Sequence, residues 1–392
     1  MTAAGRPTTP EDEHPMGRVT AASTEESLDP PSESVERLPG PDVVRAIALI
    51  GVVVMNYHGY LIFRGDGRIP DSTVLERFFD PFTGPLSTRF ASTFVLTAGV
   101  GITLLTRRVV ASGGPSEITE MRWRLVRRGI VLYVLGEFLD VIWRGTIIVY
   151  YGAMFVVAAA LFTLATRWIV AIGVAAAAAG WGIATWSFWQ IEDGKNVAWL
   201  TQPGRDSIRR YVFDVMVNGT HPLLPWLVFL CAGIVIGRCL DAPAWRRWSG
   251  ALGVVLFAIA TAVSQLADTP FTDQLLSRHP FDRGVVYVAS ALGTSLIAFA
   301  SISWLADRAS GSAAAVVDPL RRAGQMTLTL YIAHILVFNL FVDWFDLIQP
   351  GGLRTALTFA LAFWVVAIAA GALWHRRFGR GPVERVYRAL GG

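Results

Sequence analysis

The feature that most constrains this chain is a series of apolar blocks, each about twenty residues long, that runs from Asp42 almost to the last residue. A helix needs about 20 predominantly apolar residues to cross the ~30 Å hydrocarbon core of a bilayer. The composition agrees, because 53% of the residues are hydrophobic and only 16% are charged, against about 25% charged in soluble proteins. The sequence therefore predicts an all-α, polytopic integral membrane protein. It excludes a soluble enzyme, a secreted disulfide scaffold and a nucleic-acid-binding module.

The blocks divide into ten predicted membrane spans, so that both termini lie on the same side. They are residues 42–63, 86–106, 124–142, 146–166, 168–190, 222–240, 245–267, 284–305, 322–345 and 354–375. The third and fourth spans are separated only by Trp143, Arg144 and Gly145.

The distribution of basic residues predicts that both termini are cytoplasmic. With that orientation, 22 of the 34 basic residues fall on inner segments and 12 on outer segments, as the positive-inside bias requires. All but one of the basic residues are Arg, and most stand between apolar blocks. We therefore expect membrane lipids rather than nucleic acid as partners.

Residues 1–38 differ from the rest of the chain. They hold eight acidic residues against three Arg, with many Pro, Ser and Thr, and such a mixture cannot bury enough apolar surface to fold alone. We predict a disordered cytoplasmic tail that is not a signal peptide, followed by a single transmembrane helical domain over 39–392.

Polar residues inside the first span need a reason, since a charge at mid-bilayer costs at least ~2.5 kcal/mol. At 100° per residue, Asp42, Arg45 and Asn56 project from one face of the helix, and this face is either a packing device or part of a site. His58 falls about 160° away from Asp42. It is a structural residue or a general base, since imidazole titrates near neutral pH.

The third span carries Glu137 and Asp140. Asp140 precedes Arg144 by four residues, the order of acid and base that favours an ion pair on a helix. Glu137 is expected to meet an Arg of another helix, such as Arg89 or Arg283, or to be held neutral. A buried structural pair and a proton-handling acid both remain open.

The ninth span places Thr327, Tyr331, His334 and Phe338 on one stripe, with His334 near mid-bilayer. A functional and a structural histidine are equally consistent with this position. Motif spacings typical of zinc sites, P-loops or GxSxG nucleophiles are missing from the sequence, so no metal is expected.

The stretch from Asp42 to Tyr57 resembles the first-helix signature of the heparan-α-glucosaminide N-acetyltransferase group and its bacterial relatives, roughly D-x-x-R-[GA]-x(8-9)-M-x-N. Other segments are similar to the YeiB-like family (domain of unknown function 418). They are Arg89-Phe90-x-x-x-Phe94 with Ala98 to Gly101, Trp143-x-Gly145 with Tyr151-Gly152, the run from Gly324 to His334, and Gly381-Pro382-x-Glu384.

The resemblance implies an acyltransferase that moves an acyl group from cytosolic acyl-CoA (acetyl-CoA), the co-substrate, to an extracytoplasmic sugar or lipid. A histidine would take the acceptor's proton, while an amide would stabilise the oxyanion. The expected catalytic residues are His58, Asn56 and His334. The expected binding residues are Asp42, Arg45, Arg89, Glu137, Asp140, Tyr331, Arg127 and Arg128. A homodimer is left open.

One departure from the family pattern concerns the base. The acetyltransferase group carries its catalytic histidine in the outer loop after the first helix, but residues 60–85 contain no histidine here. His58 is the nearest substitute and His334 the second. The alternatives are a proton-coupled transporter or flippase, with Glu137, Asp140 and His334 as a relay, and a membrane scaffold without activity.

Overall fold

A computed structural model of the chain describes residues 39–65, 73–202 and 207–392. Within these ranges the regular secondary structure is entirely helical, so the predicted all-α class is confirmed there. The acidic tail predicted over 1–38 lies outside the described residues. Its disorder and the domain boundary at residue 39 stay predictions.

The described residues contain sixteen α-helices, several of them only one or two turns long. In chain order they are α1 (Gly40–Arg64), α2 (Val74–Phe78), α3 (Arg89–Ser112), α4 (Pro115–Asp140), α5 (Ile147–Leu161), α6 (Thr166–Glu192), α7 (Ala198–Thr201), α8 (Arg209–Phe213), α9 (Leu223–Cys239), α10 (Trp245–Ser264), α11 (Pro270–Leu276), α12 (Val285–Asp307), α13 (Ser312–Gly324), α14 (Thr327–Phe338), α15 (Leu353–Phe378) and α16 (Pro382–Gly391). Two π-helical segments, Asp214–Asn218 and Asn339–Trp344, extend α8 and α14.

Seven helices in the described ranges are long and apolar enough to cross a membrane. They are α1, α3, α6, α10, α12, α15 and the combined segment Thr327–Trp344. An eighth is added if α8 with its π-helical extension and α9, which meet at a bend of 58°, form one broken span. The chain is therefore a multi-pass membrane protein, whereas the count of ten and the orientation of the termini stay predictions.

Two predicted span boundaries need correction. The third span was placed from residue 124, but α4 begins at Pro115, because Pro occupies the first turn and the Glu117 carboxylate accepts the Gly114 N–H at 3.0 Å. The ninth span was placed from residue 322, but the helix breaks at Gln325 and Met326. Apolar content locates a helix in the membrane, whereas caps and breaks decide where it begins.

α1 is the central helix of the bundle, and it packs against α3, α12, α13, α14 and α15. Its apolar residues are almost wholly enclosed, with Leu49, Val53, Tyr57 and Leu61 at 0% exposure. We refer to its two ends as the Gly40 end and the Arg64 end. The polar residues of α1 are consequently held within protein rather than in lipid.

Three helix pairs meet through facing glycines, which lets the backbones approach closely. Gly99 of α3 faces Gly233 of α9, Gly129 of α4 faces Gly152 of α5, and Gly253 of α10 faces Gly293 of α12. A Cβ at Gly99 would lie 2.2 Å from the Leu230 carbonyl oxygen, and one at Gly233 would lie 2.0 Å from that of Leu96. These facing glycines therefore serve close helix packing.

Candidate functional site

A cavity of about 170 Å³ lies beside the Arg64 end of α1. Its walls come from α1 between Val52 and Phe63, the segment 81–91, the turn 143–147, the break between α8 and α9, and Tyr331 of α14. Apolar and aromatic side chains dominate the lining, and a few polar ones converge in it: Asn56, Arg144, Thr220, His221 and Tyr331. A largely apolar chamber with few polar groups is typical of a small-molecule site. We call it the Asn56 cavity.

Asn56 is held by a histidine from the other half of the chain. Its Nδ2 lies 3.3 Å from Nε2 of His334. An amide nitrogen only donates, so Nε2 is the unprotonated acceptor of this neutral imidazole. One N–H of Asn56 is thereby fixed, and the other is left for the cavity. The structure thus brings two of the expected catalytic residues into contact, while their catalytic roles stay predictions.

Aromatic side chains from α1, from α14 and from the turn between α4 and α5 hold His334 in position. The Tyr57 hydroxyl donates to the His334 carbonyl at 3.0 Å, and the rings of Tyr331 and Trp143 approach the imidazole edge-on at 4.8 and 5.4 Å. The Tyr331 hydroxyl accepts the Ile147 N–H at 3.3 Å. His334 is 0% exposed, so it lies behind Asn56 rather than in the cavity wall.

His58 is oriented away from this arrangement, as its helical phase predicted. α1 continues without a break to Arg64, and Nδ1 of His58 donates to the Phe79 carbonyl at 2.9 Å. The side chain is almost fully enclosed, at 1% exposure, and it is not among the described residues that line the Asn56 cavity. This bond anchors the segment that follows α2; the catalytic role predicted for His58 stays a prediction.

Asp140 fixes the turn that forms one wall of the cavity. Its Oδ1 accepts the Gly145 N–H at 2.7 Å. Gly145 has φ +77°, a left-handed conformation that favours glycine, and a Cβ there would lie 2.7 Å from the Thr220 methyl carbon. The same turn places the Gly145 carbonyl 2.9 Å from the Thr220 hydroxyl.

His221 is the residue of this site that sequence reasoning missed. It lines the Asn56 cavity from the break between α8 and α9, and its Nδ1 lies 3.0 Å from the Thr220 hydroxyl oxygen. The available signal was topological, since the predicted spans place it at the same membrane face as the end of α1.

At the Gly40 end, Asp42 and Arg45 form a buried cluster with the break between α13 and α14. Arg45 Nη1 lies 3.4 Å from Asp42 Oδ1 and 3.3 Å from the Gly324 carbonyl oxygen. Gln325 Nε2 donates to Asp42 Oδ2 at 3.0 Å. These contacts join α1 to the C-terminal end of α13, at the opposite end of α1 from the cavity.

The partner of Glu137 differs from the one expected. Glu137 Oε2 lies 3.4 Å from Arg210 Nη2 of α8, and both side chains are about 30% exposed. Arg89 instead donates to the Ser290 hydroxyl, and Arg283 donates to the Asn218 and Gly219 carbonyls. Glu137 therefore meets an Arg of another helix, as expected, but this Arg is Arg210 rather than Arg89 or Arg283.

The residues of the proposed proton relay also contact separate partners. Glu137 pairs with Arg210, Asp140 caps Gly145, and His334 holds Asn56. These described contacts do not link the three, so no specific observation favours transport.

The arginines expected to bind acyl-CoA divide into two kinds. Arg128 is 9% exposed, and it donates to the Gly392 carbonyl at 2.8 Å and lies over the Tyr387 ring. Arg127 is exposed. Arg128 thus packs against α16, whereas Arg127 keeps its charge at the surface.

No group of three or more His, Cys, Asp or Glu residues in the described ranges is placed to hold a metal ion. The polar groups of the Asn56 cavity are instead an amide, a hydroxyl, a guanidinium and an imidazole. Such a set suits hydrogen-bond and proton-transfer chemistry.

Comparison with known families gives two matches. The model described as "Heparan-alpha-glucosaminide N-acetyltransferase, catalytic" matches residues 37–267, and the model described as "Protein of unknown function (DUF418)" matches residues 237–391. No curated protein matches the chain. Asn56 and His221 fall in the first matched region and His334 in the second, so the hydrogen bond from Asn56 to His334 joins the two.

Proposed function

The chain belongs to the family of the heparan-alpha-glucosaminide N-acetyltransferase catalytic domain, and on that premise we propose that it is a membrane acyltransferase. The proposed reaction moves an acyl group from cytosolic acyl-CoA to an acceptor on the extracytoplasmic side of a bacterial inner membrane. The acceptor class follows from the family name and the cavity together: a sugar or lipid carrying a free amine or hydroxyl.

The observation that carries this proposal is the position of Asn56 in the cavity wall. Asn56 belongs to the first-helix motif, and its Nδ2 has a second N–H beyond the one that His334 accepts. An amide N–H held in place before the reaction stabilises the negative charge that develops on a thioester carbonyl oxygen when an acceptor attacks it. In this proposal Asn56 supplies that stabilisation and His334 positions the amide.

The apolar lining of the cavity supports the same chemistry. Aromatic side chains, including Tyr60, Phe82, Trp143 and Tyr331, make up much of its wall. An apolar surrounding strengthens hydrogen bonds to developing charge. Aromatic faces also suit the apolar face of a sugar ring or an acyl chain.

The Gly40 end offers surface cations for the donor. Arg127, Arg107 and Arg108 are exposed where α3 and α4 meet at residues 112–115. We propose that such side chains hold the phosphates of acyl-CoA, since guanidinium binds phosphate in a bidentate manner. Asp42 and Arg45 maintain the packing of α1 between the two ends.

A transfer assay on purified protein in nanodiscs tests the proposal, with radiolabelled acetyl-CoA as donor and glucosamine or a lipid extract as acceptor. Asn56→Ala is expected to lower kcat by at least about 100-fold, the usual effect of losing one oxyanion donor. Asn339→Ala is the matched control, because this buried amide donates only to the Ile335 carbonyl on its own helix. It is expected to keep the activity.

A binding measurement makes the result decisive. Acetyl-CoA or a longer acyl-CoA is expected to raise the thermal unfolding temperature of both wild type and Asn56→Ala, since Asn56 acts in the transition state. If no acyl-CoA stabilises the wild type and no label reaches any acceptor, the acyltransferase proposal is wrong.

A further inference from the structure

We propose that His221 is the general base of the acyl transfer proposed above, on which this inference rests. His58, His221 and His334 lie near the Arg64 end of α1, and they differ in the hydrogen bonds that their ring nitrogens make. Of the three, His221 alone lines the cavity, and it has a ring nitrogen that can accept a proton.

The tautomer of His221 follows from its neighbour. The Thr220 hydroxyl has a single proton, and its Oγ1 lies 2.9 Å from the Gly145 carbonyl oxygen, which only accepts. That proton is therefore donated to Gly145. The contact of 3.0 Å between Thr220 Oγ1 and His221 Nδ1 then requires a proton on Nδ1. In the neutral ring this leaves Nε2 unprotonated, with a lone pair available to a substrate.

The loop that carries His221 is fixed from several sides. Arg283 donates to the Asn218 and Gly219 carbonyls, and the Thr220 N–H donates to the Tyr150 hydroxyl at 3.1 Å. The imidazole meets the Trp226 ring edge-on at 4.6 Å. A base must be held in one orientation to act, and these contacts restrict the ring to one position.

The other two histidines are less able to serve. His334 is 0% exposed, and its Nε2 accepts from Asn56; His58 is 1% exposed, and its Nδ1 donates to the Phe79 carbonyl. A base must reach the acceptor's proton directly or through one water. Of the described histidines, only His221 is among the residues that line the Asn56 cavity.

The proposed step transfers an acyl group to the acceptor and a proton to the departing CoA. His221 Nε2 removes the proton from the acceptor O–H or N–H while that oxygen or nitrogen attacks the thioester carbonyl carbon. The Asn56 N–H stabilises the oxyanion that forms. The carbon–sulfur bond then breaks, and the departing CoA thiolate takes the proton from the imidazolium. The products are the acylated acceptor and CoA with its thiol restored.

The first test compares kcat in nanodiscs for wild type, His221→Ala and the control His375→Ala, which changes a histidine in the last turn of α15. His221→Ala is expected to lose at least about 100-fold in kcat, as for a general base, with an unchanged thermal shift by acetyl-CoA. Added imidazole is expected to restore part of the rate. Full activity in His221→Ala would overturn the inference while leaving the acyltransferase proposal intact, whereas an inactive wild type would contradict the latter.

The positioning role of Thr220 is tested alongside. Thr220→Ser keeps the hydroxyl and is expected to stay active, while Thr220→Val removes it and is expected to lower kcat more than it raises KM. Equal activity in the Ser and Val variants would contradict the tautomer argument.

A third measurement does not depend on activity. Diethyl pyrocarbonate modifies unprotonated, accessible imidazole nitrogens, and mass spectrometry locates the modified residue. In folded wild type we expect His221 to be modified well before His58 and His334. Protection of His221 equal to that of the two buried histidines would overturn the inference even if no acceptor had been found.

Discussion

At the scale of single residues, the polar groups within this bundle are of two kinds. Asp42, Arg45 and Asp140 satisfy one another or the backbone, so they hold helices and turns in place. Asn56 and His221 keep a hydrogen-bonding group beyond those that hold them. Both side chains line the Asn56 cavity, so the remaining group of each is available to a substrate.

Asp42 offers a test of the first kind of polar group, which holds helices in place. This side chain is 2% exposed and accepts from both Arg45 and Gln325. Asp42→Ala would leave the partly buried Arg45 guanidinium without its carboxylate and the Gln325 amide without its acceptor, which costs about 1–3 kcal/mol. We expect a large fall in the thermal unfolding temperature.

The control lies at the other end of the same helix. Arg64 and Asp343 form a pair in which the side chains are 31% and 23% exposed. Asp343→Ala is expected to cost no more than about 1 kcal/mol. Similar losses in the two variants would show that the Asp42 cluster does not hold the bundle together.

At the scale of helices, α3 and α9 depend on direct backbone contact. Gly99 and Gly233 face each other so closely that any Cβ would collide with a carbonyl of the opposite helix. Membrane helices associate through such small residues, since lipid provides no hydrophobic driving force between them. The contact also fixes α9, which carries the His221 loop at its N-terminal end.

Substitution of Gly99 tests this contact. Gly99→Leu is expected to separate α3 from α9, lower the yield of folded protein and abolish acetyl-CoA stabilisation. Gly182→Ala is the control, because a Cβ there meets nothing within 4 Å, and it is expected to behave as wild type. Size-exclusion chromatography and thermal unfolding provide the measurement, and a stable, monodisperse Gly99→Leu protein would contradict the expectation.

The positions of the long helices could be predicted from the sequence, but the contacts between them could not. Apolar length and helical phase located the helices, separated α4 from α5, and placed Asp42 and His58 on opposite faces of α1. They could not show that Asn56 meets His334, 278 residues away, or that Arg210 rather than Arg89 pairs with Glu137. Such pairs arise from tertiary packing, which no periodicity within one helix encodes.

At the scale of the whole molecule, the two ends of α1 are chemically different. The Gly40 end carries the Asp42 cluster and the neighbouring surface arginines, and the Arg64 end carries the Asn56 cavity. A donor bound from one side and an acceptor bound from the other would require such an asymmetry. The central claim is therefore that the acyl group crosses the membrane during transfer.

The most direct test uses proteoliposomes with radiolabelled acetyl-CoA added only outside. Protein molecules whose cytoplasmic face is outward are the only ones that can then use the donor, whatever the mixture of orientations. We expect label on glucosamine enclosed in the lumen and little on glucosamine supplied only outside, with the lumenal signal lost in Asn56→Ala. Equal labelling of glucosamine supplied only outside would contradict transmembrane transfer.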